Sequence, residues 1–253
     1  AYSQATEKGQ VGLALKVKHG VFDALVYKKL RAALGGECQM AISGGAPLGA
    51  RLGHFFSGVG VPVYEGYGLT ETTAAFSVNT PGEFKIGTVG KPVAGNAVRL
   101  GEDGEVLLSG GVVFHGYWNN PDATAQALED GWFHTGDLGN IDSEGFITIT
   151  GRKKELIVTA GGKNVSPAAL EDPIRADPLV GQIVVVGDQR PFISALVTLD
   201  PEMLPTWLSN NGLPADMSLE EAAKNPKVRD EVQLAVDRAN KSVSRAESIR
   251  EWR

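Results

Sequence analysis

Four segments of the 253-residue chain combine residue types that packing alone does not require. Tyr64-Glu65-Gly66-Tyr67-Gly68-Leu69-Thr70-Glu71 sets an aromatic between glycines, which leaves its ring face open to a planar base. A hydroxyl and a carboxylate follow in adjacent positions, suited to a phosphate oxygen and its Mg2+, a hard cation that takes oxygen ligands. A glycine-rich turn capped by Thr-Glu would give the same string. Gly131-Trp132-Phe133-His134-Thr135-Gly136-Asp137-Leu138-Gly139 places Asp137 among glycines, where a carboxylate can approach a ribose and accept hydrogen bonds from both hydroxyls. The plain alternative is an Asx turn at a strand end. Gly151-Arg152-Lys153-Lys154-Glu155 lines up three cations that could bind ribose or phosphate and steady developing charge, or could form a solvated turn. Ser43-Gly44-Gly45-Ala46-Pro47-Leu48 is a strand-to-helix turn of small residues, which lets backbone come close to a ligand or merely connects two elements.

Other chemistries find no support. His19, His54, His115 and His134 show no metal-ligand spacing, and the lone Cys38 offers neither a zinc cluster nor a disulfide framework. Cys38, before an apolar strand, reads as an inert thiol, and a single cysteine suits a reducing cytoplasm. No G-x-S-x-G elbow, Walker loop or G-x-G-x-x-G in strand–helix context occurs. Trp118, in Gly116-Tyr117-Trp118-Asn119-Asn120-Pro121, reads as packing beside a turn. Nothing places Glu65 and Glu71 across one substrate bond, as a carboxylate-pair hydrolase would need. With 42% hydrophobic and 21% charged residues the chain is globular, and a formal charge of −6 argues against bulk nucleic-acid binding. No apolar run reaches the length of a membrane helix, and the first residues are no signal peptide.

The elements that must carry these segments can be read from periodicity. Helical spacing runs from Val21 to Leu34 and stops at Gly35-Gly36. Met40–Ser43 and Val61–Tyr64 read as strands on either side of a helix through Phe56. From Gly82 to Thr150 short strands and turns alternate, including 104–108, 132–135 and 145–149, the pattern of a small β-barrel or sandwich. Of the 32 glycines, 26 fall in residues 1–150 and 6 beyond, which sets a domain boundary near Gly151. After it come a strand at 156–159, Ser166 as N-cap with Pro167 at the first helical position, a hairpin of 182–186 with 193–199, and helices over 202–209 and 228–243. Pro173 predicts that the helix after Pro167 is short. The charged run Glu251-Trp252-Arg253 reads as helix-like.

In this order the segments resemble the adenylate-forming superfamily of acyl-CoA synthetases, luciferases and peptide-synthetase adenylation domains. Tyr67-Gly68-Leu69-Thr70-Glu71 is similar to its Y-G-x-T-E motif, and 131–137 to its aromatic-x-T-G-D motif. Residues 151–155, followed by Gly161-Gly162-Lys163-Asn164-Val165-Ser166-Pro167, resemble its hinge and the loop after it. The stretch from Gly110 to Pro121 also fits, and the Thr159–Pro167 form is most similar to bacterial long-chain fatty acid–CoA ligases. The resemblance implies a mixed α/β, α+β fold. Residues 1–150 would be the C-terminal part of a large domain, with strand–helix units and a β-barrel-like subdomain. Residues 151–155 would be a hinge, and 156–253 a small mobile α+β domain.

It also implies roles. Tyr67 would stack on adenine opposite Gly44-Gly45-Ala46, with Glu65, Gly66, Gly68 and Ile149 lining the nucleotide site. Thr70 would contact phosphate, Glu71 would bind Mg2+, and Asp137 with Arg152 would hold the ribose. Lys154 would be the pivot of the small domain, and Gly161, Gly162 and Lys163 would lie along the CoA path. The implied substrates are a fatty acid, ATP with Mg2+, and CoA, in a cytoplasmic enzyme for which contact with a membrane surface is left open. Medium-chain, aryl or acyl-AMP ligases and a non-catalytic nucleotide-binding module are the alternatives. Two features of the superfamily find no counterpart: a Ser/Thr/Gly-rich phosphate loop before the Y-G-x-T-E motif, and a lysine near the C-terminus. The chain therefore reads as a fragment, and the 253 residues alone are expected not to form acyl-adenylate. ATP–pyrophosphate exchange checks this, and robust exchange by the isolated chain would contradict it.

Overall fold

The computed structural model describes all 253 residues. They form two compact units, Ala1–Ile149 and Thr150–Arg253.

The first unit begins with helices α1 (Tyr2–Glu7), α2 (Leu13–Phe22) and α3 (Lys28–Ala33), the last two joined by a π-helical turn at Asp23–Tyr27. Gly35 and Gly36 close α3 as expected. The Gly36 N–H donates to Arg31 O and the Gly35 N–H to Ala32 O, the paired bonds of a Schellman cap. The apolar stripe of this run does not face inward. Leu13, Val17, Val21 and Leu25 are exposed, while the polar stripe packs: His19 Nε2 lies 2.7 Å from Gly58 O, and Arg31 reaches both Val59 O and Asp23.

Strands β1 (Ala41–Ser43) and β2 (Val63–Tyr67) pair in parallel around helix α4 (Ala50–Val59), and β3 (Ser77–Val78) and β4 (Lys91–Pro92) extend the sheet antiparallel. β2 starts later and runs further than its apolar residues suggested. Glu65, Gly66 and Tyr67 are strand residues, because β3 pairs with Gly66 and Tyr67. The remaining strands are β5 (Asn96–Leu100), β6 (Glu105–Gly110), β7 (Leu128–Glu129), β8 (Trp132–Ile141) and β9 (Ile147–Arg152), with helix α5 (Pro121–Ala127) before β7. They form a five-stranded sheet in the order β5-β6-β8-β7, with β9 on β8, in the region read from the sequence as a small barrel or sandwich. The ten-residue β8, much longer than the four residues expected, carries this sheet. Its core is Phe76, Val106, Leu108 and Phe133, all buried.

The second unit has the hairpin β10 (Ile157–Val158) and β11 (Asn164–Val165), then α6 (Pro167–Arg175), β12 (Val180–Val186), β13 (Ile193–Leu199), α7 (Leu204–Asn210), α8 (Leu219–Lys224), α9 (Pro226–Asn240) and β14 (Ile249–Trp252). Ser166 does precede α6, but its hydroxyl donates to Thr150 O instead of capping the helix. Pro173 sits inside α6, whose nine residues end two positions later. The lost amide bond there is offset by complete burial of Leu170 and Ile174. α9 buries Val228, Val232, Ala235, Val236 and Ala239, one face of a 3.6-residue period.

The C-terminal run is a strand, not a helix. β14 pairs parallel with β13, and the Arg253 N–H donates to Ala195 O. Trp252 packs against both buried clusters of the unit, donates its indole N–H to Gln233 Oε1 at 2.7 Å, and carries the Arg229 guanidinium 4.4 Å from its ring. A sheet edge and an apolar pocket outweigh the weak helical signal of three charged residues. Trp252→Ala should lower the unfolding free energy by about 2 kcal/mol, below the range for a fully buried Trp because this residue is only partly buried. Urea denaturation measures it, and a change within about 0.5 kcal/mol would show that β14 does not anchor the unit.

Candidate active site

The parallel register of β1 on β2 pairs Ser43 with Glu65, which brings the Gly44 turn beside Gly66. A Cβ on Gly44 would stand 3.4 Å from Gly66 O, so the turn approaches the strand through backbone. The buried Glu65 carboxylate fastens this arrangement, its Oε1 accepting the Leu48 N–H at 3.0 Å. Glu65 was expected among the nucleotide-lining residues; in the structure its side chain holds the Gly44–Leu48 turn.

Tyr67 ends β2 with its ring against the Phe76 cluster, to which Leu69 and Ile149 also pack. Its hydroxyl donates to Asp137 Oδ2 at 2.6 Å. Asp137 is buried on β8, and its own N–H donates to Thr135 Oγ1, which donates in turn to Val106 O at 2.7 Å. Beside it the Gly136 N–H donates to Glu105 Oε1 at 2.8 Å, and the His134 ring nitrogen lies 3.2 Å from Glu105 Oε2. A carboxylate this buried is tolerable only with polar partners, and hydroxyls of a ribose could share or replace the phenol.

Past Tyr67 the chain turns sharply. A Cβ on Gly68 would fall on the Ala74 carbonyl, so no other residue fits there. Thr70–Thr72 make one 3-10 turn, with the buried Thr72 hydroxyl accepting the Leu69 N–H at 2.9 Å. Thr73 and Ala74 follow with φ of 56° and 90°, an unfavourable pair for residues with a Cβ. This turn leaves Thr70 exposed and sets Glu71 at the surface edge, where Oε1 accepts the Tyr117 hydroxyl at 2.8 Å. No cluster of three or more His, Cys, Asp or Glu side chains could hold a metal unaided. One carboxylate with an exposed neighbouring hydroxyl fits Mg2+, which keeps waters and completes its shell with substrate phosphates.

Two family models match the chain: AMP-binding enzyme over residues 13–118 and AMP-binding enzyme C-terminal domain over residues 154–253. The chain belongs to the AMP-binding enzymes. The long-chain-fatty-acid–CoA ligase FadD15 of Mycobacterium bovis is 58% identical over 252 residues, covering 100% of this chain and 42% of that ligase. Two solved structures share the fold. The anthranilate CoA ligase AuaEII in complex with anthranoyl-AMP has a TM-score of 0.66 at 24% identity, over 85% of this chain and 40% of that one. The ATP-bound RpMatB-BxBclM chimera B1 has a TM-score of 0.62 at 29% identity, over 83% and 40%. The chain thus spans less than half the length of these relatives.

In the first unit Tyr67 and Ile149 pack on the Phe76 cluster, Tyr67 bonds Asp137, the Gly44-Gly45-Ala46 turn passes beside Gly66, and Gly68, Thr70 and Glu71 follow in the turn after Tyr67. Arg152, Lys154 and the Gly161–Lys163 loop belong to the second unit. Lys154 is exposed in the 3-10 turn Lys153–Glu155. The Gly161–Lys163 loop is the tip of the β10–β11 hairpin. The Gly162 N–H donates to Thr159 O, the Lys163 N–H to Thr159 Oγ1, and the Ala160 N–H to Arg190 O. Lys163 Nζ lies 3.3 Å from Glu247 Oε1. Trp118 is 91% exposed and packs nothing, against expectation; its neighbour Tyr117, also exposed, meets Phe114 edge-on. Sequence reasoning passed over Tyr117, Thr135 and Glu105, whose importance lies in contacts 29 to 46 residues away.

Burial raises the Glu65 carboxyl above its ordinary 4.5, only partly opposed by the Leu48 N–H. As pH climbs past 4.5 the unfolded carboxyl ionises first, so the unfolded state binds fewer protons and stability falls until the raised value is passed. Glu65→Gln keeps the acceptor and removes the titration. Relative to this variant, the parent chain should lose stability as pH rises from 4.5 and then level off. Parallel pH profiles in urea melts would contradict the assignment.

Proposed function

We propose that the chain carries the nucleotide- and CoA-handling part of an AMP-forming long-chain fatty acid–CoA ligase. The observation that carries this reading is the Tyr67–Asp137 hydrogen bond, which joins the Y-G-x-T-E and T-G-D segments into one place, with Glu71 in the turn that follows Tyr67. The 58% identity to a long-chain ligase over the whole chain supports the substrate class.

The reaction runs in two displacements. A fatty carboxylate oxygen attacks the α-phosphorus of ATP and pyrophosphate leaves. The CoA thiolate then attacks the acyl carbon, the bond to phosphate breaks, and AMP leaves. Tyr67 offers its ring face to adenine, backbone of the Gly44–Ala46 turn lies opposite, and Asp137 accepts from the ribose hydroxyls. Thr70 donates to a phosphate oxygen and Glu71 holds the Mg2+. When bound, that ion neutralises charge developing on the phosphate oxygens.

The second step needs a thiol path and no longer the pyrophosphate-side groups, so one small domain turning about Lys154 can serve both steps. The Gly161–Lys163 tip, held by bonds to Thr159 and Arg190, is stiff enough to line that path. A cytoplasmic site of action agrees with a single unpaired Cys38, and no helix is long and apolar enough to cross a membrane.

Tyr67→Ala, Glu71→Ala and Asp137→Ala each remove a proposed contact. Loss of one or two such contacts should weaken AMP or MgATP binding at least about tenfold. In a ligase bearing this chain, Lys154→Ala should slow thioester formation while leaving the fold intact. Calorimetric nucleotide titration and a thioester assay with fatty acids of graded length check both. Nucleotide binding and turnover indifferent to all four changes would favour a non-catalytic module.

A further inference from the structure

The turn that presents Glu71 is gripped by one loop, residues 112–117, through three hydrogen bonds. The Phe114 N–H donates to Glu71 O at 2.8 Å, and Thr73 Oγ1 donates to Val112 O at 3.0 Å. The Tyr117 hydroxyl donates to Glu71 Oε1 at 2.8 Å. The first two fix backbone. The third fixes the carboxylate itself, and Glu71 is otherwise free to change rotamer at the surface edge.

The tyrosine is built to stay there. Its ring meets Phe114 edge-on at 4.8 Å, and Phe114 meets the buried Phe133 at 5.6 Å, which ties the phenol to the same core that holds Tyr67. Its backbone N–H donates to Thr124 Oγ1 at 2.9 Å, and a Cβ on Gly116 would collide with that threonine, so the loop lies hard against α5.

We infer that Tyr117 is a positioning residue for metal-dependent nucleotide binding: its hydroxyl occupies one oxygen of Glu71 and aims the other at the cation. A carboxylate donating one oxygen to the protein and one to Mg2+ suits an ion that demands near-ideal octahedral geometry and few protein ligands. Tyr117 touches neither nucleotide nor metal in this role. The inference rests on Glu71 being the metal-side residue of the proposed nucleotide site.

The test is Tyr117→Phe, which keeps the ring packing and deletes only the donor. Binding of ATP to the chain is titrated at graded Mg2+ and in EDTA, beside Glu71→Ala. The expected result is that Tyr117→Phe raises the Mg2+ concentration giving half the metal effect by about tenfold, the size of one charge-assisted hydrogen bond. Affinity for metal-free ATP should stay within about twofold of the parent chain, since no nucleotide contact is removed. Glu71→Ala should abolish the metal effect. If Glu71→Ala abolishes it and Tyr117→Phe leaves the Mg2+ dependence unchanged, or weakens metal-free ATP equally, the positioning role is wrong while the site reading stands. If Glu71→Ala leaves the metal effect intact, or ATP does not bind with or without Mg2+, the site reading itself fails and takes this role with it.

Discussion

Everything at the candidate site hangs on the burial of Phe76. It is fully enclosed with Val106, Leu108 and Phe133, and these four come from β6, β8 and the turn after the Y-G-x-T-E segment. Each such side chain gains roughly 1.5–3 kcal/mol on leaving water, and the cluster is where three remote pieces of chain find a common partner. Tyr67, Leu69, Phe114 and Ile149 pack on it from outside. Residues 70 apart, such as Tyr67 and Asp137, thereby meet at hydrogen-bond distance. Without the cluster no reason remains for Asp137 to be buried, and a buried carboxylate without partners would be costly.

The same enclosure permits local conformations that the residues alone disfavour. Thr73 and Ala74 both lie at positive φ, of order 1–3 kcal/mol each, immediately after the turn that presents Thr70 and Glu71. Phe76 just beyond is pinned by its N–H to Tyr67 O as well as by its ring. The chain must reverse in a fixed number of residues, and Gly68 supplies the space where Ala74 passes.

The second unit solves a different problem. Its two cores, one under α6 and α9 and one under α7 and α8, share Trp252 as a partly buried border residue. A unit with its own apolar interior can keep its loops in place whatever it packs against. That is what a stiff β10–β11 tip needs if it is to serve a thiol path.

The amino-acid sequence by itself determined the motifs, their order, the break near Gly151, the Schellman stop at Gly35-Gly36 and the β12–β13 hairpin. These are local matters of turn chemistry and short-range periodicity, and the family resemblance follows from them. It was silent on pairings of large sequence separation, and there its readings went astray. β2 runs on through Tyr67 because β3 pairs with it, β8 more than doubles its expected length by pairing with β6, and Glu251-Trp252-Arg253 becomes strand because β13 has an edge to fill. The inward polar and outward apolar stripes of the α2–α3 run likewise depend on what His19 and Arg31 meet, not on their spacing. Glu65 shows the division most clearly. Its place in the motif says nothing of its partner; only the parallel register of β1 on β2 decides that its carboxylate faces Leu48 and is buried there, because hydrogen-bond partners are chosen by proximity in space.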